Sequence, residues 1–200
     1  MHPNTAFRSK SHSLHEELIE QVAFGMIFCE TPDGPRAAHT PIALIENKKV
    51  QFHLARGNAM ARHLSGNKAL IVINGPDAYI SARWYSDPNQ VPTWNYTAVE
   101  IEGTARAMED SKLPGLLEHL SQQNEAKIKG GQPWTMDKLS DEYLNKLLGA
   151  ITGFELTISA TRETQKLSQN KPDDERARLI DGLEEQGSTA IANMMRDIAR

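Results

Sequence analysis

Alternation of period two sets the framework of this chain. From Thr97 to Arg106, Val99, Ile101, Gly103 and Ala105 fall on one side, with Glu100, Glu102, Thr104 and Arg106 on the other. That pattern predicts a strand with one buried face. Gly153 to Thr161 repeats it, with Phe154, Leu156, Ile158 and Ala160 set against Glu155, Thr157 and Ser159. Upstream, Phe24 to Glu30, Ala37 to Ile45 and Val50 to Leu54 read as strands joined by Thr31-Pro32-Asp33-Gly34-Pro35 and Glu46-Asn47-Lys48-Lys49. Short polar turns between apolar runs predict an antiparallel meander. Ala69 to Asn74 supplies a further strand, and Gly103 permits the bend that closes a small barrel. One segment breaks the pattern. In His39-Thr40-Pro41 the proline cannot donate to a central ladder, which predicts a bulge or an edge bordering a ligand.

Period-3.6 segments come between and after these strands. Ser13-Leu14-His15-Glu16 fits a capping box opening a helix that buries Leu14, Leu18, Ile19 and Val22. A short helix is expected from about Asn58 to Leu64. Others are expected from Ser111 to Gln123, with Pro114 tolerated in the first turn, and from Ser140 to Leu148. Gly130-Gly131-Gln132-Pro133 reads as a loop between them. A last helical region starts at Pro172 and breaks at Gly187-Ser188. Antiparallel strands with helices inserted late predict an α+β barrel. The expected organisation is a single domain over 1–200, with a helical insert at about 110–149 and a helical C-terminal region at about 172–200.

Gly75 to Tyr96, GPDAYISARWYSDPNQVPTWNY, fits neither period. It holds Trp84, Trp94, Tyr79, Tyr85 and Tyr96 among Pro, Asp, Asn and Gln. Rings with polar tips on a loop suit a planar ligand or a partner surface. A long Ω-loop pinned by its own aromatics is the competing reading.

Composition narrows the classes. Two hundred residues can bury a sizeable core, and a net charge of −4 gives no global pull toward nucleic acid or anionic membrane. The longest apolar run, Ala69 to Ile73, is too short to span a bilayer. The N-terminal residues lack an apolar signal region, so a cytoplasmic location is expected. A single cysteine, Cys29, excludes an internal disulfide and a cysteine metal cluster. The seven histidines show no ligand spacing, so no metal site is expected. No Ser-His-Asp set, P-loop or GxGxxG is visible.

Two further segments carry candidate chemistry. In His53-Leu54-Ala55-Arg56-Gly57-Asn58 a strand gives way to an Arg, a Gly and a helix-capping Asn, a combination suited to a phosphate. An ordinary turn with a solvated Arg is the alternative. Lys166-Leu167-Ser168-Gln169-Asn170-Lys171 mixes donors and acceptors suited to imide or pyrimidine-type edges, or simply to an exposed turn.

Taken together, AHTP at 38–41, HLARGN at 53–58, GPDAYIS at 75–81, WY at 84–85, VPTWNY at 91–96 and KLSQN at 166–170 resemble the PaiB family of FMN-binding negative transcriptional regulators. The blocks occur in the family's order, and the resemblance runs from about Phe24 to Glu185. Two positions depart from it: Ala59 and Ala82 stand where the family usually or often has proline. The resemblance implies an antiparallel six-stranded split β-barrel with peripheral helices, which dimerises and binds FMN at the homodimer interface. It implies Arg56 and Asn58 at the flavin phosphate, and His53 of the same block as a further cofactor-binding residue. Ser81 would be a further phosphate or ribityl partner. Trp94, Asn95 and Tyr96 would wall the ring, with Gln169 and Asn170 reaching it from the C-terminal half.

Three functions are compatible with these residues: an FMN-binding regulatory protein, an FMN-dependent oxidoreductase acting on a small planar substrate, or a haem-handling split barrel using a histidine ligand. The cofactor itself supplies hydride chemistry, so no acid–base residue separates the first two. DNA is a partner by resemblance only. The acidic charge and the absence of a basic stripe or a helix-turn-helix speak against direct binding.

Overall fold

Inward-facing aliphatic residues on six strands build the barrel in the computed structural model, which describes residues 3–8 and 14–198. The strands are β1 (Phe24–Thr31), β2 (Gly34–Ile45), β3 (Lys49–Ala55), β4 (Lys68–Ile80), β5 (Thr93–Ala107) and β6 (Ile151–Lys166). They close in the order β1-β2-β3-β6-β5-β4. The helices are α1 (Leu14–Val22), α2 (Ala61–Leu64), α3 (Leu113–Glu125), α4 (Asp141–Gly149), α5 (Asp173–Glu185) and α6 (Thr189–Asp197). The fold is therefore an α+β antiparallel six-stranded barrel, as the alternation predicts, and of the split-barrel type that the family resemblance implies.

The chain divides into two compact units. The barrel unit comprises His15–Ile73 and Glu100–Thr161. Its interior holds Ile27, Ile42, Val50, Phe52, Ile71, Ile101 and Leu156 with no exposed surface. Phe52 pairs with Phe154 across β3 and β6, and their rings stack at 5.7 Å. Gly103 is required by proximity: a Cβ there would lie 2.1 Å from the Thr157 carbonyl oxygen. On the outside of this unit, Leu113, Leu116 and Leu120 of α3 cluster with Ala43 of β2.

Cys29, on β1, is enclosed, and its thiol donates to the Glu30 carbonyl oxygen at 3.3 Å. Burial, with the Glu30 charge adding to it, pushes the thiol pKa up. The His39-Thr40-Pro41 segment resolves simply. Paired register between β2 and β3 starts at Ile42↔Phe52, so Pro41 lies just past the ladder. There the Thr40 hydroxyl donates to the His53 carbonyl oxygen at 2.6 Å, in place of a ladder bond.

The helix-rich unit comprises Asn74–Val99, Arg162–Arg200 and the N-terminal segment. Its core gathers Ala78, Ile80, Tyr85 and Leu167 with Leu179, Ile180 and Leu183 of α5 and Ile191, Ala192 and Met195 of α6. α5 and α6 are separated at Gly187, whose φ of +75° favours glycine.

Several boundaries differ from the periodic reading. β4 continues through Gly75-Pro76-Asp77 to Ile80, and β5 begins at Thr93, so the connection shrinks to residues 81–92. α2 is only Ala61–Leu64. Val22 is exposed rather than buried, because the last turn of α1 carries it off the apolar stripe. The Ser13 cap lies outside the described residues.

Candidate functional site

The β3 turn builds a cationic corner on the barrel unit. Arg56 leaves the end of the strand with its backbone N–H donated to the Ala150 carbonyl oxygen at 2.8 Å. Its side chain is pinned at the C-terminal end of α4: Nε donates to the Gly149 carbonyl oxygen and Nη2 to that of Ile151, both at 3.0 Å. The first is a carbonyl left unpaired where the helix stops, and the second belongs to the opening residue of β6. The side chain remains 52% exposed, and the Asp110 carboxylate approaches Nη2 to 3.9 Å. A pair this open is weak.

Asn58 accepts from the Met60 N–H at 2.9 Å through Oδ1, a local turn that commits its carbonyl oxygen. Between them a Cβ on Gly57 would meet nothing within 4 Å, so the backbone here is open to approach. His53 is half-buried, its Nδ1 is enclosed without a hydrogen-bond partner, and desolvation lowers its pKa below the ordinary 6.5. The corner thus combines a fixed guanidinium, an amide and bare backbone, which is a donor set matched to a phosphate.

The remaining sequence candidates lie on the helix-rich unit. Trp94, Asn95 and Tyr96 alternate along β5, and the pleat sends Asn95 the opposite way from its neighbours. Asn95 is fully buried, and its amide is spent on the Ser168 hydroxyl at 3.0 Å and the Met195 sulfur at 3.3 Å. The Gln169 amide is likewise engaged, accepting from the Leu167 N–H and donating to the Gln165 carbonyl oxygen. Asn170 is exposed. Ser81 accepts from the Arg83 N–H at 3.2 Å. Trp94 is 54% exposed and meets Tyr79, 49% exposed, edge-on at 6.0 Å.

The connection is held by its own aromatics, with Tyr85 in the unit's core and Trp84 packed against it, and by polar contacts. Ser86 donates to the Glu175 carboxylate of α5 from both its backbone and its hydroxyl. Lys171 donates to Gln90 at 2.6 Å and sits 5.3 Å from the Tyr85 ring centre. Five residues of the aromatic segment that the sequence sets apart, Tyr79, Ser81, Arg83, Trp84 and Trp94, line a cleft in this unit together with Ser188. What the residue pattern missed is the part played by Gly182, a glycine inside a helix that lies against Trp84.

The outer surface of the barrel unit carries an apolar face. Cross-strand register places Phe28 between Ala37 and Leu70, and Met26 between His39 and Val72. Phe24, 48% exposed, stacks on His39 at 6.3 Å. Among the described residues no group of His, Cys, Asp and Glu could hold a metal ion. None of their helices is long and apolar enough to cross a membrane.

Residues 1–160 match the family described as "Putative FMN-binding domain". The chain is similar to the "Protease synthase and sporulation protein PAI 2" of Bacillus subtilis, with 31% identity over 188 residues, covering 90% of this chain and 88% of that protein. It is also similar to the uncharacterized protein YKL070W of Saccharomyces cerevisiae, 35% identical over 115 residues, covering 52% of this chain and 68% of the yeast protein. Among solved structures, the FAD and heme binding protein of Mycobacterium smegmatis shares the fold at a TM-score of 0.61 and 18% identity, covering 85% of this chain and 78% of that one. The flavocytochrome Anf3 of Azotobacter vinelandii does so at 0.60 and 14%, covering 88% and 78%. A family match across most of the sequence, and a bacterial relative aligned over nearly its whole length, establish that this chain belongs to the PaiB family of FMN-binding-domain proteins.

Proposed function

We propose that the protein binds FMN as a homodimer in the cytoplasm and serves a regulatory role of the PaiB type. The observation that carries the flavin reading is the corner after β3. There Arg56 is held by two carbonyls and still half-exposed, beside an open Gly57 and Asn58. Arg56 and Asn58 would take the phosphate, and His53, kept neutral by burial, would stand beside them as a hydrogen-bonding group. FMN supplies hydride and electron chemistry when bound. The chain's own contribution is to fix the anion and orient the ligand.

The dimer reading rests on the outward face of Phe24, Met26, Phe28, Leu70 and Val72. Contiguous apolar surface of this kind marks an interface, and a two-fold axis would bury the same face of a second copy. Regulation follows the family. The net charge of −4 favours an indirect effect over operator binding.

Arg56→Ala is expected to weaken FMN binding by about 1.5–3 kcal/mol, the worth of a charge-assisted hydrogen bond. Riboflavin, which lacks the phosphate, should bind the variant as it binds the parent. Equal losses for both flavins would remove Arg56 from the phosphate. Sedimentation at micromolar protein should give a dimer, and a monomer would defeat the interface reading.

A further inference from the structure

The aromatic cleft of the helix-rich unit is built in a way that packing does not require. We infer that it binds a planar aromatic acid, a ligand other than the flavin, whose ring lies against Trp84 and Trp94 and whose anionic group meets Arg83.

Three observations converge. First, α5 carries a glycine in its interior to make room for one wall. A Cβ on Gly182 would lie 2.5 Å from Cδ2 of Trp84 and 2.7 Å from Cε2. Glycine inside a helix is destabilising relative to alanine, so the indole is seated against the helix at the expense of helix stability. Second, the opposing aromatics stay open. Trp94 and Tyr79 keep about half their surface in solvent while touching each other edge-on, and with Trp84 they line a cleft of about 550 Å³. Third, two side chains at the cleft, those of Arg83 and Ser188, are uncommitted. Among the described residues no carboxylate reaches the Arg83 guanidinium, although its backbone N–H is fixed by Ser81. Ser188 occupies the N-cap position of α6, yet its side chain makes no capping bond there. Gln186 and Ser188, at the turn between α5 and α6, border the same cleft.

An arginine with free donors beside two indoles recognises a flat ring bearing a carboxylate or phosphate, through stacking and a forked charge-assisted contact. A merely structural aromatic cluster would have closed on itself.

The test uses the full chain, freed of flavin and loaded with FMN, titrated with 2-naphthoate and, as its neutral counterpart, 2-naphthamide. Tryptophan fluorescence and calorimetry follow binding. A saturable change with 2-naphthoate, of equal affinity in the flavin-free and FMN-loaded protein, is expected. Arg83→Gln should weaken 2-naphthoate about 10- to 100-fold and leave 2-naphthamide unchanged. Trp94→Ala, at an exposed position that leaves the core intact, should weaken both ligands alike. Loss of all saturable binding in the parent would overturn the proposal. So would equal effects of Arg83→Gln on acid and amide, or release of FMN in step with 2-naphthoate uptake, which would give the cleft to the flavin.

Discussion

The two units solve the problem of a buried interior differently. The barrel unit fills itself with aliphatic side chains and the Phe52–Phe154 stack, and its order follows from alternation. The helix-rich unit encloses polar groups: Asn95 against Ser168 and Met195, and Arg176, whose guanidinium donates to the Met195 carbonyl oxygen while its Nε has no partner. Non-directional burial tolerates repacking, whereas a buried polar network holds one arrangement and is costly when half-satisfied. The comparison teaches where specificity sits. The barrel unit relies on apolar packing, and the helix-rich unit fixes individual side chains through buried polar contacts.

The largest effect should come from the barrel. Phe154→Ala removes half of the stack and leaves a cavity, and should cost about 3–5 kcal/mol in urea unfolding followed by circular dichroism. Asn95→Ala, in the other unit, should cost about 1–3 kcal/mol by stranding the Ser168 hydroxyl. The contrast sharpens with Asn95→Leu, which replaces the amide at similar volume. If it were harmless, the network would not be positioning anything.

The smallest effect is a pH dependence in the barrel unit. Burial keeps the folded pKa of His53 below 6.5, while the unfolded chain protonates at the ordinary value. Below about 6.5 the unfolded state therefore binds more protons. Stability should be fully present above that pH and decline as pH falls toward the folded pKa. His53→Gln should flatten this slope between about pH 5 and 7, and an unchanged slope would assign it to other groups.

Much of the barrel was legible because a strand with one buried face writes period two into its residues. Val99 through Arg106 shows this directly. The ends of strands were not legible. Gly75-Pro76-Asp77 has turn chemistry, yet β4 runs through it, since pairing partners elsewhere in the chain decide where a strand stops. The candidate site divides in the same way. Arg56 and Asn58 stand out by type, but the carbonyls that fix Arg56 come from Gly149 and Ile151, 93 and 95 residues away. Asn95 looked equivalent to Trp94 and Tyr96 in sequence, and only the pleat separates it from them. The cleft wall at Trp84 depends on Gly182, a pairing that no local window contains.

Cys29 gives the barrel unit a built-in clock. It is the chain's single thiol, shielded on β1 with its ionisation suppressed. A thiol reagent should therefore react slowly with the folded barrel and faster once that unit opens. Labelling at Cys29 would follow the barrel unit, while the helix-rich unit, which has no cysteine, stays silent.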